Sequence, residues 1–314
     1  MLSEKHDTNF ILYWLNYWIS SIGEAYIPIE VTTDRSLALQ NACCLAFNNM
    51  TYKKYLETCF KLLKNKVADV PKCYIGMDIA HLIKSVSQWK CFKGQHKRIK
   101  DFYMQCIGLL SKVQNFSDFN NMLLFIFIVC QTNYESHSQC TESRKWLINK
   151  LQKHEFNDFK QYDKSFKNTS QKDDDNFLDI QSENLVRHIE ELNSQVTVKQ
   201  DDTNPNFDLT PNPYYFPDIM KNLIDLAIQF PTWTNVMRHI FSSSSDIAIS
   251  ARSKAYFGDI KQNVLENQKP TRADKFLIKY MRSLTGIMIL GRATYNQRKN
   301  VAANCIRKTV DKVE

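Results

Sequence analysis

Two aspartates, Asp34 and Asp78, stand at the same kind of place in the chain. Each closes a short apolar or β-branched run, "IPIEVTT" before Asp34 and "VPKCYIGM" before Asp78, and each is followed at once by a helical pattern. At the carboxyl end of a parallel strand, a carboxylate sits where side chains that do chemistry collect. Just before a helix, the same carboxylate is placed to cap the free N–H groups of the first turn. Both roles stay open for each acid. His81 follows Asp78 by three residues, so the two share one side of the first helical turn. Asp34, Asp78 and His81 are therefore the candidate metal set. Mg²⁺ takes carboxylates and water, whereas Zn²⁺ prefers His and Cys. Two-metal phosphodiester chemistry needs at least one more acid. An active nuclease would draw it from Asp259.

A second constellation is electrostatic. Lys84, Lys90, Lys93, Lys97, Arg98 and Lys100 lie in one segment with His96 and no acid among them. Trp89 and Phe92 sit between the charges. Lysine and arginine neutralise phosphates, and aromatic rings can stack on bases, so this segment is the candidate nucleic-acid surface. A solvated helix face with its aromatics turned to the core has the same pattern. Arg292, Arg298, Lys299, Arg307, Lys308 and Lys312 form a second basic cluster near the C-terminus. Cys130, His137 and Cys140 have the types of zinc ligands, but their spacing matches no standard finger. There is no Gly-rich phosphate loop, no G-x-S-x-G and no H-E-x-x-H.

The elements that must position these residues follow from composition and periodicity. The chain has 314 residues, 43% of them hydrophobic, and only 7 glycines and 8 prolines. Few turn residues and long stretches of Leu, Ile, Lys, Asn and Gln favour helices. The net charge of +8 favours an acidic partner. Nine cysteines, of which Cys43 and Cys44 are adjacent and the others widely spaced, without a C-x-x-C pair, indicate reduced thiols and an intracellular protein. The N-terminus has no basic region or cleavage site of a signal peptide, and "LLFIFIVC" is too short to span a bilayer, so no membrane role is expected.

Residues 8–22 are apolar nearly all round, which predicts a helix buried on most faces. Strands are expected at 27–33 and 71–77, each leading into a helix. Strands joined by helices lie parallel in one sheet. From 95 to 150 the spacing is helical throughout. Residues near 157–212 are polar and expected to lack fixed structure, with a modest helix near 179–194. The proline-rich run that ends them reads as a linker or an arm lying on the surface through Tyr214, Tyr215 and Phe216. The fold class is mostly α with a small parallel sheet.

Three segments together resemble mutator-like transposases, DDE enzymes with an RNase H-like core. "PIEVTTDRSLALQNACCLAFNN" is similar to the stretch around that family's second catalytic Asp, here Asp34. "CYIGMDIAHLIKSVSQWKCFKG" resembles the next strand and helix, with Asp78 standing where the family carries Cys before His81. "SARSKAYFGDIKQNVLENQKPTRADKFLIKYM" resembles the helix that bears the final Glu, and Lys254 occupies the matching position. The resemblance implies a partial RNase H-like core over 1–94, a large helical insertion over 95–245, completing helices over 246–290 and a basic tail over 291–314. The first three strands and the first catalytic Asp are missing from it. That leaves an open sheet edge to be covered by helices or by a partner chain.

Three carboxylates hold the two Mg²⁺ ions of DDE chemistry, and a lysine repels them. The resemblance therefore implies a transposase-derived, nuclear protein that is catalytically inactive. Asp34 remains as a remnant, no cofactor is needed, and Mg²⁺ enters only if activity is retained. DNA binding would survive through the basic surfaces. The alternatives are a helical protein-interaction module without a nucleic-acid role and an active metal-dependent nuclease.

Overall fold

The computed structural model describes residues 7–22, 27–66, 68–134, 138–153, 182–196 and 210–241, and single positions between 258 and 289. Residues 1–249 form one compact unit and residues 250–314 a second.

The first unit begins with α1 (Thr8–Ile22), whose first turn is capped by Asp7: the Phe10 N–H donates to its Oδ1 at 2.8 Å. Strand β1 (Glu30–Thr33) follows. Pro28 has no N–H to give a ladder, and the strand starts only beyond it. Helix α2 (Leu37–Asn48) ends where Asn49 turns left-handed at φ 52°. Helix α3 (Tyr52–Leu63) is capped by Thr51. Strand β2 (Tyr74–Met77) then pairs parallel to β1 in the register Glu30 with Tyr74 through Thr33 with Met77. The expected small parallel sheet has these two strands. Helices α4 (Ile79–Ser87), α5 (Lys97–Lys112), α6 (Phe116–Gln131) and α7 (Ser138–Lys153) continue the unit. Among the described residues of this unit three more α-helices follow: α8 (Glu183–Ser194), α9 (Met220–Ala227) and the short α10 (Phe230–Trp233).

Alternation places Glu30 and Tyr74 side by side on one face of the sheet. Arg238 binds both: its Nη2 lies 3.4 Å from Glu30 Oε1, and its guanidinium stands 5.7 Å over the Tyr74 ring. The Tyr74 hydroxyl reaches the carbonyls of Pro231, Thr232 and Thr234 at 3.3–3.4 Å. Along β2, the N–H groups of Tyr74 and Asp78 point to β1, donating to the carbonyls of Ile29 and Thr33. The intervening Ile75 N–H points the other way and donates to the Tyr55 hydroxyl at 3.0 Å. Helix α3 thus meets the outer edge of β2, and all four β2 residues are buried. Three of the four β1 residues remain half-buried.

Two expectations need correction. Helix α1 is not buried on most faces: only one side packs on α2, and Tyr13, Trp14, Tyr17 and Trp18 are exposed. An apolar sequence fixes no direction of packing when the helix has a single neighbour. The arm packs through Tyr214 and Phe216, but deeper than a surface position, and Tyr215 stays exposed. Tyr214 and Phe216 are buried, because Asn212 bonds the carbonyls of Val129 and Thr132 and the Phe216 N–H bonds the carbonyl of Cys130. The modest helix expected near 179–194 is present as α8, whose Leu185, Ile189 and Leu192 make a buried stripe at helical spacing. The remainder of the polar span 157–212, apart from 182, 195–196 and 210–212, lies outside the described residues, as do Lys254, Asp259, His137 and the tail from 291.

In the second unit, helical residues occur between 275 and 289. Phe276 stacks on Tyr280 at 5.6 Å, and Ile278, Met281, Met288 and Ile289 are exposed. Among the described residues no helix is long and apolar enough to cross a membrane. The eight described cysteines are free.

Candidate functional site

Because Thr33 pairs with Met77, Asp34 and Asp78 both follow the last rung of the ladder, at the carboxyl end of the sheet. Their carboxylates have different work. Asp78 is 1% exposed, and its Oδ1 accepts from the backbone N–H groups of Ala80 at 2.8 Å and His81 at 3.3 Å. It is the N-cap of α4. Asp34 is half-buried, and its Oδ1 accepts from the Ser36 N–H at 3.0 Å, closing a tight turn. The N-cap of α2 is Ser36, whose hydroxyl accepts from the Leu39 N–H. Asp34 therefore shapes the approach to the helix and is not itself the cap.

No group of three His, Cys, Asp or Glu side chains able to hold a metal ion occurs among the described residues. Asp34, Asp78 and His81 do not make the three-ligand set that their spacing suggested. The physical reason is at Asp78, whose carboxylate turns inward onto its own helix. Arg35, next to Asp34, donates from Nη1 to the Ser85 hydroxyl at 2.7 Å and ties the start of α2 to α4. Sequence reasoning missed it, because a lone arginine beside an acid carries no pattern. Burial, and after it the charge of Asp34, pushes the Cys43 thiol up to about 12, so this neighbour stays a protonated thiol.

The basic segment is divided by the fold. Lys90 and Lys93 are exposed on the turn around a short 3₁₀ helix (Lys90–Phe92), and Lys97 and Arg98 are exposed in the first turn of α5. Lys84 and Lys100 are half-buried. Lys100 donates from Nζ to the Ser87 carbonyl at 2.8 Å and lies 5.9 Å over Phe92. Trp89 and Phe92 are 9% and 5% exposed and stack on each other at 5.9 Å, so neither ring is presented to a base. The aromatics of this segment belong to the core.

The first turn of α5 holds Lys97, Arg98 and Lys100 and no acid. A helix N-terminus is already the positive end of the helix dipole, so cations there raise the local potential instead of offsetting it. His96 caps the helix through Nδ1, which accepts from the Arg98 N–H at 3.2 Å. The Arg98 side chain is fixed by Tyr214: Nε donates to its hydroxyl at 3.2 Å and the guanidinium covers its ring at 5.1 Å. Tyr214 in turn stacks on Phe102 at 4.1 Å. Two open clefts of about 760 and 530 Å³ meet at Arg98, Tyr214 and Ile148. His96 and Lys97 line the first, and Arg144 and Lys145 of α7 line the second. No sequence pattern marks α7 as part of this surface, since "SRKW" lies over forty residues along the chain from Arg98; packing in three dimensions brings the two together.

Other sites are closed. Cys130 is buried and donates to the Phe127 carbonyl, and Cys140 is buried with its thiol pushed up to about 11 by burial.

No family model matches the chain, and no solved structure matches it. It is similar to a curated protein, described as a 120.7 kDa protein in the NOF-FB transposable element, from Drosophila melanogaster. The two are 32% identical over 323 aligned positions, which take in 99% of this chain and 30% of the relative. The chain thus spans under a third of the length of the relative it matches.

Proposed function

We propose that this chain is a transposon-derived segment that holds DNA through phosphate contacts at the α5–α7 surface and has no strand-cleaving activity of its own. The observation that carries the origin is the similarity to a transposable-element protein through almost the whole chain. A mutator-like, RNase H-like DDE parent is the class that best accommodates the two parallel strand–acid–helix units. The cluster of Lys97, Arg98 and Lys145 around the clefts, on a protein of net charge +8, supports the polyanion partner. Such a protein acts in the nucleus. The capping role of Asp78 supports the inactive state, because a carboxylate buried against two N–H groups is not offered to a cation.

Anisotropy of labelled duplex DNA across a salt series tests the binding. Affinity should fall steeply with salt, with a logarithmic slope of about 0.9 per phosphate neutralised. Lys97→Ala with Lys145→Ala should lower that slope by roughly 2. Retention at low salt no better than that of a neutral control protein would remove the DNA reading. The inactive state has its own test. Incubation with Mg²⁺ or Mn²⁺ should leave duplex DNA intact; robust cleavage abolished by Asp34→Ala would overturn it.

A further inference from the structure

Helix α1 is attached by one side. Ile11 is buried, Leu15 and Ile19 pack on the core, and Trp18 meets Phe47 edge-on at 6.3 Å. On the other side Tyr13, Trp14 and Tyr17 are 64%, 42% and 62% exposed, and Trp18, at the border between the two sides, is 43% exposed. Three of these rings already hold one another in edge contact, Tyr13 on Trp14 at 6.0 Å and Trp14 on Tyr17 at 6.2 Å. The polar groups of the last turns are turned inward: the Ser20 and Ser21 hydroxyls donate to the carbonyls of Asn16 and Tyr17. From Thr8 to Ile22 there is no charged residue.

We infer that this face of α1 is a self-association surface, on which a second copy of this chain packs across a two-fold axis. Charge selects that occupant. Two copies that each carry +8 repel wherever lysines and arginines face one another. The uncharged α1 is a place where they meet without that cost, and a two-fold contact uses the same patch on both sides. Area sets the strength. An aromatic side chain offers about 150–250 Å². Four rings, each roughly half exposed, present on the order of 400 Å² per copy, within the range of the largest apolar patch on a typical monomer. Joined with the helix surface between them, two such faces reach only the small end of specific interfaces, about 1,000 Å² in all. The expected association is therefore weak and concentration-dependent, of micromolar order.

Sedimentation equilibrium of the full 314-residue chain, over roughly 1–100 µM to bracket that strength, tests this. The wild type should pass from monomer to dimer. Trp14→Ser with Tyr17→Ser should raise the dissociation constant more than tenfold while leaving the far-ultraviolet circular dichroism and its melt unchanged. Should that double variant lose its fold, Tyr17→Lys places like charges across the axis and should give the same monomer. Added salt should strengthen the dimer by screening its net charge, the reverse of its effect on DNA affinity. A wild type that stays monomeric throughout, or a dimer indifferent to both variants, overturns the proposal.

Discussion

The two strand-end aspartates show how one residue type, at the same kind of junction, serves two structural purposes. Asp78 satisfies two buried N–H groups, whereas Asp34 holds one N–H in a half-open turn. Loss of a helix cap costs about 0.5–2 kcal/mol. Asp78→Ala belongs at the upper end, because it also leaves buried donors without their acceptor. Asp34→Ala removes no cap but one half-exposed turn hydrogen bond, and should cost less, about 0.5 kcal/mol. Asp78→Asn should retain most of the stability, because asparagine caps as well as aspartate does. Urea unfolding of the three variants checks the order, and equal losses at Asp34 and Asp78 would contradict it. That these acids stand at strand–helix junctions was legible, because the hydrophobic period changes beside each. Where each carboxylate points was not, since capping and ligation differ in a side-chain rotamer. The burial of Tyr214 was illegible for another reason. Its polar, proline-rich neighbours read as exposed, while the Tyr103 hydroxyl that bonds its carbonyl lies over a hundred residues away in sequence.

At the scale of elements, α8 is the piece whose attachment depends on pH. Its His188 lies 5.3 Å from the rings of both Phe60 in α3 and Phe116 in α6, and its Nε2 meets Asn120 Oδ1 at 3.0 Å. Burial, and then the positive charge of Lys64, pulls this imidazole down to about 4. The unfolded chain, with an ordinary histidine near 6.5, then binds more protons than the folded chain between those two values. Stability from this site is therefore complete above about pH 6.5, falls as pH drops toward 4 and changes no further below. Hydrogen exchange in α8 should quicken across that window, and His188→Gln should flatten the response of this helix. An exchange rate in α8 that ignores pH in this window, after correction for intrinsic chemistry, would show that the histidine does not control the contact. The helical identity of α8 follows from Leu185, Ile189 and Leu192. Its docking partners could not be read, because Phe60 and Phe116 carry no mark of a shared histidine. Helix α1 is the opposite case: its length and composition were plain, but an all-round apolar sequence cannot say which side is used.

For the whole molecule, the decisive quantity is a charge of +8 spread unevenly. Cations gather at the start of α5 and on α7, while α1 has none. The proposed DNA contact and the proposed pairing through α1 would therefore respond to salt in opposite directions. Phosphate binding weakens as counterions compete, and pairing through α1 strengthens as repulsion is screened. Neither mode uses the sheet, although the sheet carried the strongest sequence signal. That signal identified two parallel strand–acid–helix units, and both are present in the first unit. It could not disclose what locks them.

That lock has a consequence for how the protein is made. The Tyr74 hydroxyl is held by carbonyls of residues 231–234, and Arg238 closes over its ring. During synthesis at about 5–20 residues per second, β2 leaves the ribosome roughly 10–30 s before those partners exist. Through that interval its apolar strand must be shielded by β1 and the helices already made, α2 and α3 among them, or by a chaperone. The sheet is drawn early in the chain and sealed late, so the youngest part of the first unit decides when the oldest part becomes native.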